Sequence, residues 1–340
     1  MKILIIRFSS LGDIILTTPV VRCLKRQLEG AEIHYLTKVG NLELLYNTPN
    51  IDKVLAYDGN LRETVKKLRN ENYDAIVDLH NSRRSCLIRM QLKGKKYVYR
   101  KENLHKWLTI VTKHDFMSGK NVVERYLAAV KPLGIEDDGG GLELMLPESM
   151  APEVFKKLIV AGKKVEDIVN QPYVVVACGS QHETKNIPVD KLMVLCSMIK
   201  MRVVLLGDKK DRKRIRDWGA SFSANVINLC GKTSLLESAA FVRAAAVVIS
   251  PDSAMMHFAA AFHRPLIAIW GATTPRFGFA AFRTPHADCE VTDLWCRPCS
   301  RMGSKRCPLG HFRCMHEQSW QRIAESVTKI TQSSNNQAAQ

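Results

Sequence analysis

The run from Val247 to Gly271, V-V-I-S-P-D-S-A-M-M-H-F-A-A-A-F-H-R-P-L-I-A-I-W-G, carries an aspartate, a serine and a histidine at spacings that suit anion binding. An apolar β-branched run meets the turn Ser250 to Ser253, an Ala/Met-rich helical segment follows, and Leu266 to Trp270 forms a second apolar run. That is a strand–turn–helix–strand unit of a parallel sheet. With Asp252 or Ser253 at the helix N-cap, the backbone N–H groups of Ser253, Ala254 and Met255 are free to meet a phosphate. His257, four residues after Ser253, falls on the same side of the helix. A capped core helix with a polar histidine near the surface fits the local pattern equally well.

Five further positions join this one. Asp13 stands in the turn R-F-S-S-L-G-D after the strand Ile3 to Phe8, where a carboxylate serves either as a base or as a helix cap. Lys185 closes the loop C-G-S-Q-H-E-T-K, which also holds Ser180, ahead of a helix beginning near Pro188. Asp211 lies on a charged helix after the strand Val203 to Leu206, and Thr233 in the turn Gly231 to Ser234. Surface charge would account for Lys185, and a solvated helix face for Asp211. On the carboxyl ends of successive strands, however, a cation, a helix N-terminus and a carboxylate suit the phosphates and ribose of a nucleoside diphosphate.

The elements that must position these residues alternate strand and helix twice over. The first half reads as strands Ile3 to Phe8, Ile33 to Thr37, Lys53 to Ala56 and Ala75 to Asp78, with helices Ile14 to Leu28, Leu42 to Asn47 and Leu61 to Asn70 between them. Asp78, His80 and Asn81 mark another carboxyl edge. A strand around Tyr97 to Arg100, a helix Asn121 to Val130 and a short strand Leu142 to Leu146 complete the half. The expected organisation is an N-terminal domain over 1–150, a helical linker over 151–171, a second domain over 172–332 closing on a helix from Gln318 to Ile330, and a disordered polar tail over 333–340. Both domains are α/β with Rossmann-like parallel sheets facing a cleft. The dinucleotide fingerprint G-x-G-x-x-G is absent from the first turn, where only Gly12 stands.

The chain has 340 residues, 46% apolar and 24% charged, in keeping with a globular protein of two domains. No apolar run is long enough to span a bilayer, and Met1-Lys2 before Ile3 is too short a start for a secretory signal, so a cytoplasmic protein is expected. A net charge of +17 calls for an acidic partner. Between Arg83 and Lys106 nine basic residues face one acidic residue, Glu102, and Tyr97, Tyr99 and Trp107 interleave with them. Arg297 to Arg313 adds five basic residues and no acidic one. A nucleic-acid-binding protein is one class that such charge suggests, but no nucleic-acid module is present and the basic residues cluster in loops.

R-F-S-S-L-G-D-I-I-L-T-T-P at Arg7 to Pro19, S-P-D-S-A-M-M-H at Ser250 to His257, and the following R-P-L-I-A-I-W-G-A-T-T-P together resemble glycosyltransferase family 9, the bacterial ADP-heptose:lipopolysaccharide heptosyltransferases. The similarity spans roughly residues 1–330. It implies a GT-B fold, with the acceptor held by the N-terminal domain and the nucleotide sugar by the C-terminal one. It further implies Asp13 as general base, Lys185 near the donor phosphates, Asp211 near the ribose, and Asp252, Ser253, Ala254 and His257 around the diphosphate and sugar. Ala254 departs from the glycine usual in that stretch. The resemblance implies inversion at the anomeric carbon, ADP-heptose as donor, a lipid A–Kdo core acceptor, and no cofactor for catalysis. Another nucleotide sugar for surface glycan is the alternative within the family. Arg83, Arg84, Arg89, Lys93, Lys95, Lys96 and Arg100 are candidate contacts to the carboxylates and phosphates of such an acceptor, and to the anionic inner face of the inner membrane.

One constellation stands apart. W-C-R-P-C-S-R-M-G-S-K-R-C-P-L-G-H-F-R-C-M-H places Cys296, Cys299, Cys307 and Cys314 where four thiolates can close a structural zinc site, with His311 or His316 as substitutes. Reduced thiols in a basic loop, or a redox-sensitive pair, are the other readings.

Overall fold

Short aliphatic and β-branched runs at Ile3–Ile6, Val174–Val176 and Val247–Ile249 are wholly shielded from solvent. Their near-continuous apolarity is what a parallel strand covered on both faces requires. The computed structural model of the protein describes residues 1–160, 163–222 and 225–338. It comprises two compact units, Met1–Asn103 with Gly119–Met145, and Leu104–Ser118 with Leu146–Gln340.

The first unit is a five-stranded, all-parallel sheet ordered β3-β2-β1-β4-β5, from β1 (Lys2–Ile6), β2 (Glu32–Lys38), β3 (Lys53–Tyr57), β4 (Ala75–Asp78) and β5 (Lys95–Val98). Its helices are α1 (Leu11–Ile15), α2 (Thr18–Gln27), α3 (Leu61–Arg69) and α4 (Arg83–Met90), joined after the excursion of α5 (Asn103–Thr112) by α6 (Val122–Val130). Leu4, Ile6, Phe8, Leu36, Leu68, Ile76 and Ile88 belong to one buried cluster of this unit. Each such side chain removed from water contributes ~1.5–3 kcal/mol. The single helix expected over Ile14 to Leu28 is in fact two: Pro19 sits at the second position of α2, where its missing N–H costs nothing, so α1 stops after Ile15. Leu142 to Leu146 carries no strand pairing, and Leu42 to Asn47 forms a 3₁₀ turn over Val39–Leu44 instead of a helix.

The second unit opens with α7 (Met150–Lys157), the two-residue strands β6 (Ile159–Val160) and β7 (Lys163–Lys164), and α8 (Val165–Val169). Its main sheet is six-stranded and all-parallel, ordered β10-β9-β8-β11-β12-β13. The strands are β8 (Tyr173–Ala177), β9 (Arg202–Leu206), β10 (Val226–Asn228), β11 (Val247–Pro251), β12 (Leu266–Trp270) and β13 (His286–Glu290). The helices are α9 (Val189–Met198), α10 (Lys209–Ile215), α11 (Leu235–Ala244), α12 (Ala254–Ala261), α13 (Arg313–His316) and α14 (Trp320–Ala338). The closing helix thus runs through Ala338, past the Ile330 at which the apolar pattern of the sequence ends.

In both sheets the chain builds outward in one direction and then crosses to the other side of its first strand. The crossing falls between β1 and β4 in the first unit, and between β8 and β11 in the second. Loops leaving the carboxyl ends of those strands diverge there, which leaves room for a ligand.

Candidate functional site

At the first switch point the turn after β1 holds Arg7 and Asp13. Asp13 is the third residue of α1, and its Oδ2 accepts the backbone N–H of Ser10 (2.9 Å) and the Ser10 hydroxyl (2.6 Å). Its Oδ1 lies 2.7 Å from Nη2 of Arg7. The cap reading of Asp13 is therefore realised, in a carboxylate that also pairs with an arginine. Arg7 donates through Nη1 to the Leu79 carbonyl at the end of β4 (2.6 Å), and its guanidinium stands 5.6 Å from the centre of the buried Tyr126 ring. One arginine thus joins the loops after the two diverging strands. Burial alone would raise the pKa of Asp13. The Arg7 charge and the Ser10 hydrogen bonds outweigh it and hold the carboxyl at about 2. His80, 5.1 Å from Phe8 between ring centres, is pushed down to about 4 by burial and by Arg7 and Lys101, so it is neutral at pH 7. Arg7 was not singled out from the sequence. The signal available was an arginine directly after a wholly apolar strand.

The seven basic residues singled out along the first unit do not form one patch. Arg83 and Arg84 are exposed in the first turn of α4, by the carboxyl edge of β4. Arg89 is turned inward, with Nη1 2.5 Å from Oδ2 of the fully buried Asp78. Asp78 in turn fixes the loop by accepting the N–H groups of His80 and Asn81. Lys93, Lys95 and Lys96 lie at the opposite, amino edge of the sheet where β5 begins, and Arg100 lies beyond its carboxyl end. Parallel strands separate them, because β5 must traverse the sheet between the two groups.

At the second switch point Lys185, in the loop after β8, reaches Asp252 after β11: Nζ to Oδ2 is 2.7 Å, with both side chains largely buried. The hydroxyl of Thr273, in the loop after β12, donates to the same oxygen (2.8 Å). Ser253 is the N-cap of α12. Its hydroxyl pairs with Ser250 (3.0 Å) and caps none of the helix N–H groups, so the first turn of α12 keeps its donors for something else. Ala254 begins α12 with helical backbone, a conformation in which a Cβ is accommodated, and His257 is buried one turn further along. Ser180 donates its backbone N–H to Asn186 (2.7 Å) and thereby closes the loop that presents Lys185.

Asp211 and Thr233 lie on the neighbouring turns. Asp211 is buried as the third residue of α10, where Oδ2 accepts the Asp208 N–H (3.0 Å) and Oδ1 meets Arg214 (3.0 Å). The exposed helix face suggested by D-K-K-D-R-K is therefore not where this carboxylate sits. It nests against Gly179 and Gly207, so that a Cβ on either glycine would collide with it. Burial pushes its pKa upward, against the pull of Arg214. The Thr233 hydroxyl pairs with that of Ser238 (2.8 Å).

The residue with the most bonds near this site, Arg297, was seen in the sequence only as part of a basic run. Its guanidinium donates to the carbonyls of Gly271 (2.6 Å), Val291 (2.5 Å) and Thr273 (2.9 Å) and pairs with Glu290 (2.9 Å). It fixes the loop that presents Thr273 to Asp252. Further on, Ser304 and Thr184 exchange hydrogen bonds, N–H to Oγ1 at 2.8 Å and N–H to carbonyl at 3.1 Å, which tie residues 299–307 to the Lys185 loop.

The zinc expectation is not met by this geometry. Among the described residues no group of three or more His, Cys, Asp or Glu side chains is placed to hold a metal ion, Cys296, Cys299, Cys307 and Cys314 included. Cys299 donates its thiol proton to the Cys296 carbonyl (3.1 Å), and Cys296 Sγ is 3.9 Å from His311 Nε2. Burial pushes the Cys299 thiol up to about 11 and the Cys314 thiol up to about 12. Cys299 and Cys314 are therefore protonated thiols at neutral pH.

Two units built on all-parallel main sheets, each with its polar groups at the switch point, define a fold of the GT-B type. The family model for glycosyltransferase family 9 (heptosyltransferase) matches residues 61–309, and the chain belongs to that family. It is a glycosyltransferase. It is 29% identical over 296 residues to lipopolysaccharide heptosyltransferase 1 of Campylobacter coli, covering 80% of this chain and 84% of that protein. Its fold is similar to that of Escherichia coli ADP-heptose lps heptosyltransferase II, with a TM-score of 0.77 at 21% identity and coverage of 98% of this chain and 100% of the other. It is also similar to the E. coli heptosyltransferase WaaC solved with ADP, with a TM-score of 0.65 at 20% identity, covering 85% and 93%.

Proposed function

We propose that this enzyme transfers heptose from ADP-heptose to a Kdo or heptose residue of the lipopolysaccharide inner core, with inversion at the anomeric carbon and Asp13 as general base. The observation that carries the assignment of roles is the pairing of Asp13 with Arg7 at the first switch point: a carboxylate that stays ionised at neutral pH and has no task in the sheet itself.

A sugar hydroxyl is a poor nucleophile. On this reading its oxygen attacks the anomeric carbon as the bond to ADP breaks, and its proton passes to Asp13. A carboxylate held near pKa 2 is a weak base for a neutral hydroxyl. It suffices once the oxygen has begun to bond to an electron-poor, oxocarbenium-like carbon, because the proton is then strongly acidic. The departing ADP gains negative charge on its β-phosphate. Lys185 and the uncapped N-terminus of α12 at Ser253 and Ala254 supply positive charge to meet it, and His257 donates to a phosphate or sugar oxygen. The charge is thus met by the protein's own groups, with no cofactor called for. Asp211 uses one bond on each oxygen and keeps lone pairs for ribose hydroxyls, with Ser180 and Thr233 on the adjoining turns. Arg83, Arg84 and Arg100, at the carboxyl side of the first sheet, are the contacts to acidic groups of the acceptor. A lipid-borne acceptor places the enzyme at the cytoplasmic face of the inner membrane, and no helix among the described residues is long and apolar enough to cross one.

A thermal-shift panel of ADP, UDP, GDP, CMP and ADP-heptose tests the donor. A ligand at about a hundred times its Kd stabilises by roughly 2.7 kcal/mol. Selective stabilisation by ADP and ADP-heptose is expected. Preference for UDP or GDP would keep the fold and mechanism and overturn the heptose assignment.

A further inference from the structure

Helix α5 makes polar contacts to the second unit on one side and leaves apolar side chains exposed on the other. Lys106 and Thr109, at i and i+3 on one face, and Lys113, just past the helix end, make its polar contacts. The Lys106 ammonium lies 4.4 Å from the centre of the Phe279 ring and 5.5 Å from that of Phe277. Thr109 is buried, and its hydroxyl accepts the Phe116 N–H (3.1 Å). Lys113 donates to the carbonyls of Cys296 (3.2 Å) and Pro298 (3.0 Å). The opposite face carries Leu104, Trp107 and Val111, which are 65%, 54% and 58% exposed. A helix that shows water a leucine, a tryptophan and a valine on one face, and buries Thr109 on the other, departs from the usual arrangement.

The Lys113 bonds set the end of this helix against the loop 295–309, where the same combination recurs. Trp295, Met302 and Leu309 are 74%, 65% and 49% exposed, and Arg301, Lys305 and Arg306 are exposed among them. No acidic residue interrupts the loop. Two tryptophans and several aliphatic side chains set among cations match the boundary of an anionic bilayer, where indole rings settle at headgroup depth and each cation near the surface adds attraction.

We propose that the Leu104–Trp107–Val111 face of α5 and the loop 295–309 together form the surface with which the enzyme docks on an anionic lipid bilayer. The proposal rests on the reading above only in that a lipid-borne acceptor supplies the reason for docking. The surface is distinct from the basic residues 83–100 of the first unit.

Sedimentation with sucrose-loaded vesicles, with no sugar nucleotide present, tests it. The wild-type chain is expected to sediment with phosphatidylcholine vesicles containing phosphatidylglycerol, and at least tenfold less with phosphatidylcholine alone. Leu104→Ser/Trp107→Ser/Val111→Ser is expected to lose at least tenfold on the anionic vesicles. Arg301→Glu/Lys305→Glu/Arg306→Glu is expected to lose the preference for phosphatidylglycerol. Quenching of tryptophan fluorescence by brominated lipid in the wild-type chain, reduced in Trp295→Phe, gives a second readout that does not depend on the triple variants folding. Unchanged sedimentation of the serine variant overturns the proposal. So does a wild-type chain that ignores anionic vesicles, or a wild-type dimer in the ultracentrifuge that the serine variant dissolves, which would give the face to a second copy. The nucleotide panel and transfer to a delipidated acceptor are unaffected by any of these results, so failure of docking and failure of the transferase assignment are told apart.

Discussion

The Asp13 carboxylate stands 2.7 Å from the Arg7 guanidinium, and Arg7 also holds the Leu79 carbonyl across the first switch point. The proposed base is thereby fixed to both diverging strands. Asp13→Asn keeps the shape and the bonds from Ser10 but cannot take a proton. Its kcat should fall by about 10²–10⁴-fold, with the ADP-induced thermal shift unchanged. A variant that retains wild-type turnover removes Asp13 from the role of base.

The same pair sets a pH dependence. The folded pKa of Asp13, about 2, lies below the ~3.9 of an unfolded aspartate. Its ionisation therefore stabilises the fold fully above pH ~4, and that contribution of ~2 kcal/mol is lost as pH falls toward 2. Above pH 4 the stability gap between wild type and Asp13→Asn should be flat, and it should close on acidification in urea titrations. Arg7→Met removes the charge that opposes burial, so the Asp13 pKa rises. The acid limb of kcat/KM should then move up by at least one pH unit, whereas an unmoved limb would mean that Arg7 does not tune the base.

At the second switch point Lys185 shares the Asp252 carboxylate with the Thr273 hydroxyl. A charge-assisted bond to phosphate contributes ~1.5–3 kcal/mol, so Lys185→Ala should weaken ADP about 10–100-fold by calorimetry. Thr273→Val should cost less, because it releases one bond to Asp252 and leaves the ammonium in place. Equal losses from the two would show that the loop, not the lysine charge, carries the affinity.

What could be read from the sequence is what short-range pattern controls. The apolar strands, the turns after them and the N-cap at Ser253 are local, and so the residues Asp13, Lys185 and Asp252 were found at the strand ends where they lie. What brings residues together across the sheet was not local. Arg7 finds Leu79 seventy-two positions on, and Arg89 is drawn to the buried Asp78 when charge alone would have left it in solvent. Arg297 serves carbonyls of residues up to 27 positions away, invisible in a basic run. The four cysteines have a spacing that zinc could use, but spacing says nothing of where the thiols turn. Cys299 turns toward a carbonyl and Cys296 toward a histidine. Segment 104–118 reads as part of the first half, and only its docking through Lys106 and Lys113 gives it to the second unit.

Asp211 was singled out as a ribose contact, and the structure makes it also the filler of a notch between Gly179 and Gly207. Its carboxylate is pinned by the Asp208 N–H and by Arg214, so it cannot swing away from a methyl group introduced at Gly179. Gly179→Ala should therefore destabilise by about 1–3 kcal/mol, seen as a fall of several degrees in Tm. Asp211→Ala removes the carboxylate that the new Cβ would strike. Gly179→Ala should then cost almost nothing in the Asp211→Ala background, a coupling that a double-mutant cycle measures directly. At Gly207 the clash is with Cβ of Asp211 as well, which alanine retains, so there the rescue should be partial. Ligand affinity separates the two roles of the carboxylate. If Asp211 binds ribose, ADP weakens in Asp211→Ala by more than the change in stability explains, whereas unaltered ADP affinity leaves it only the notch to fill.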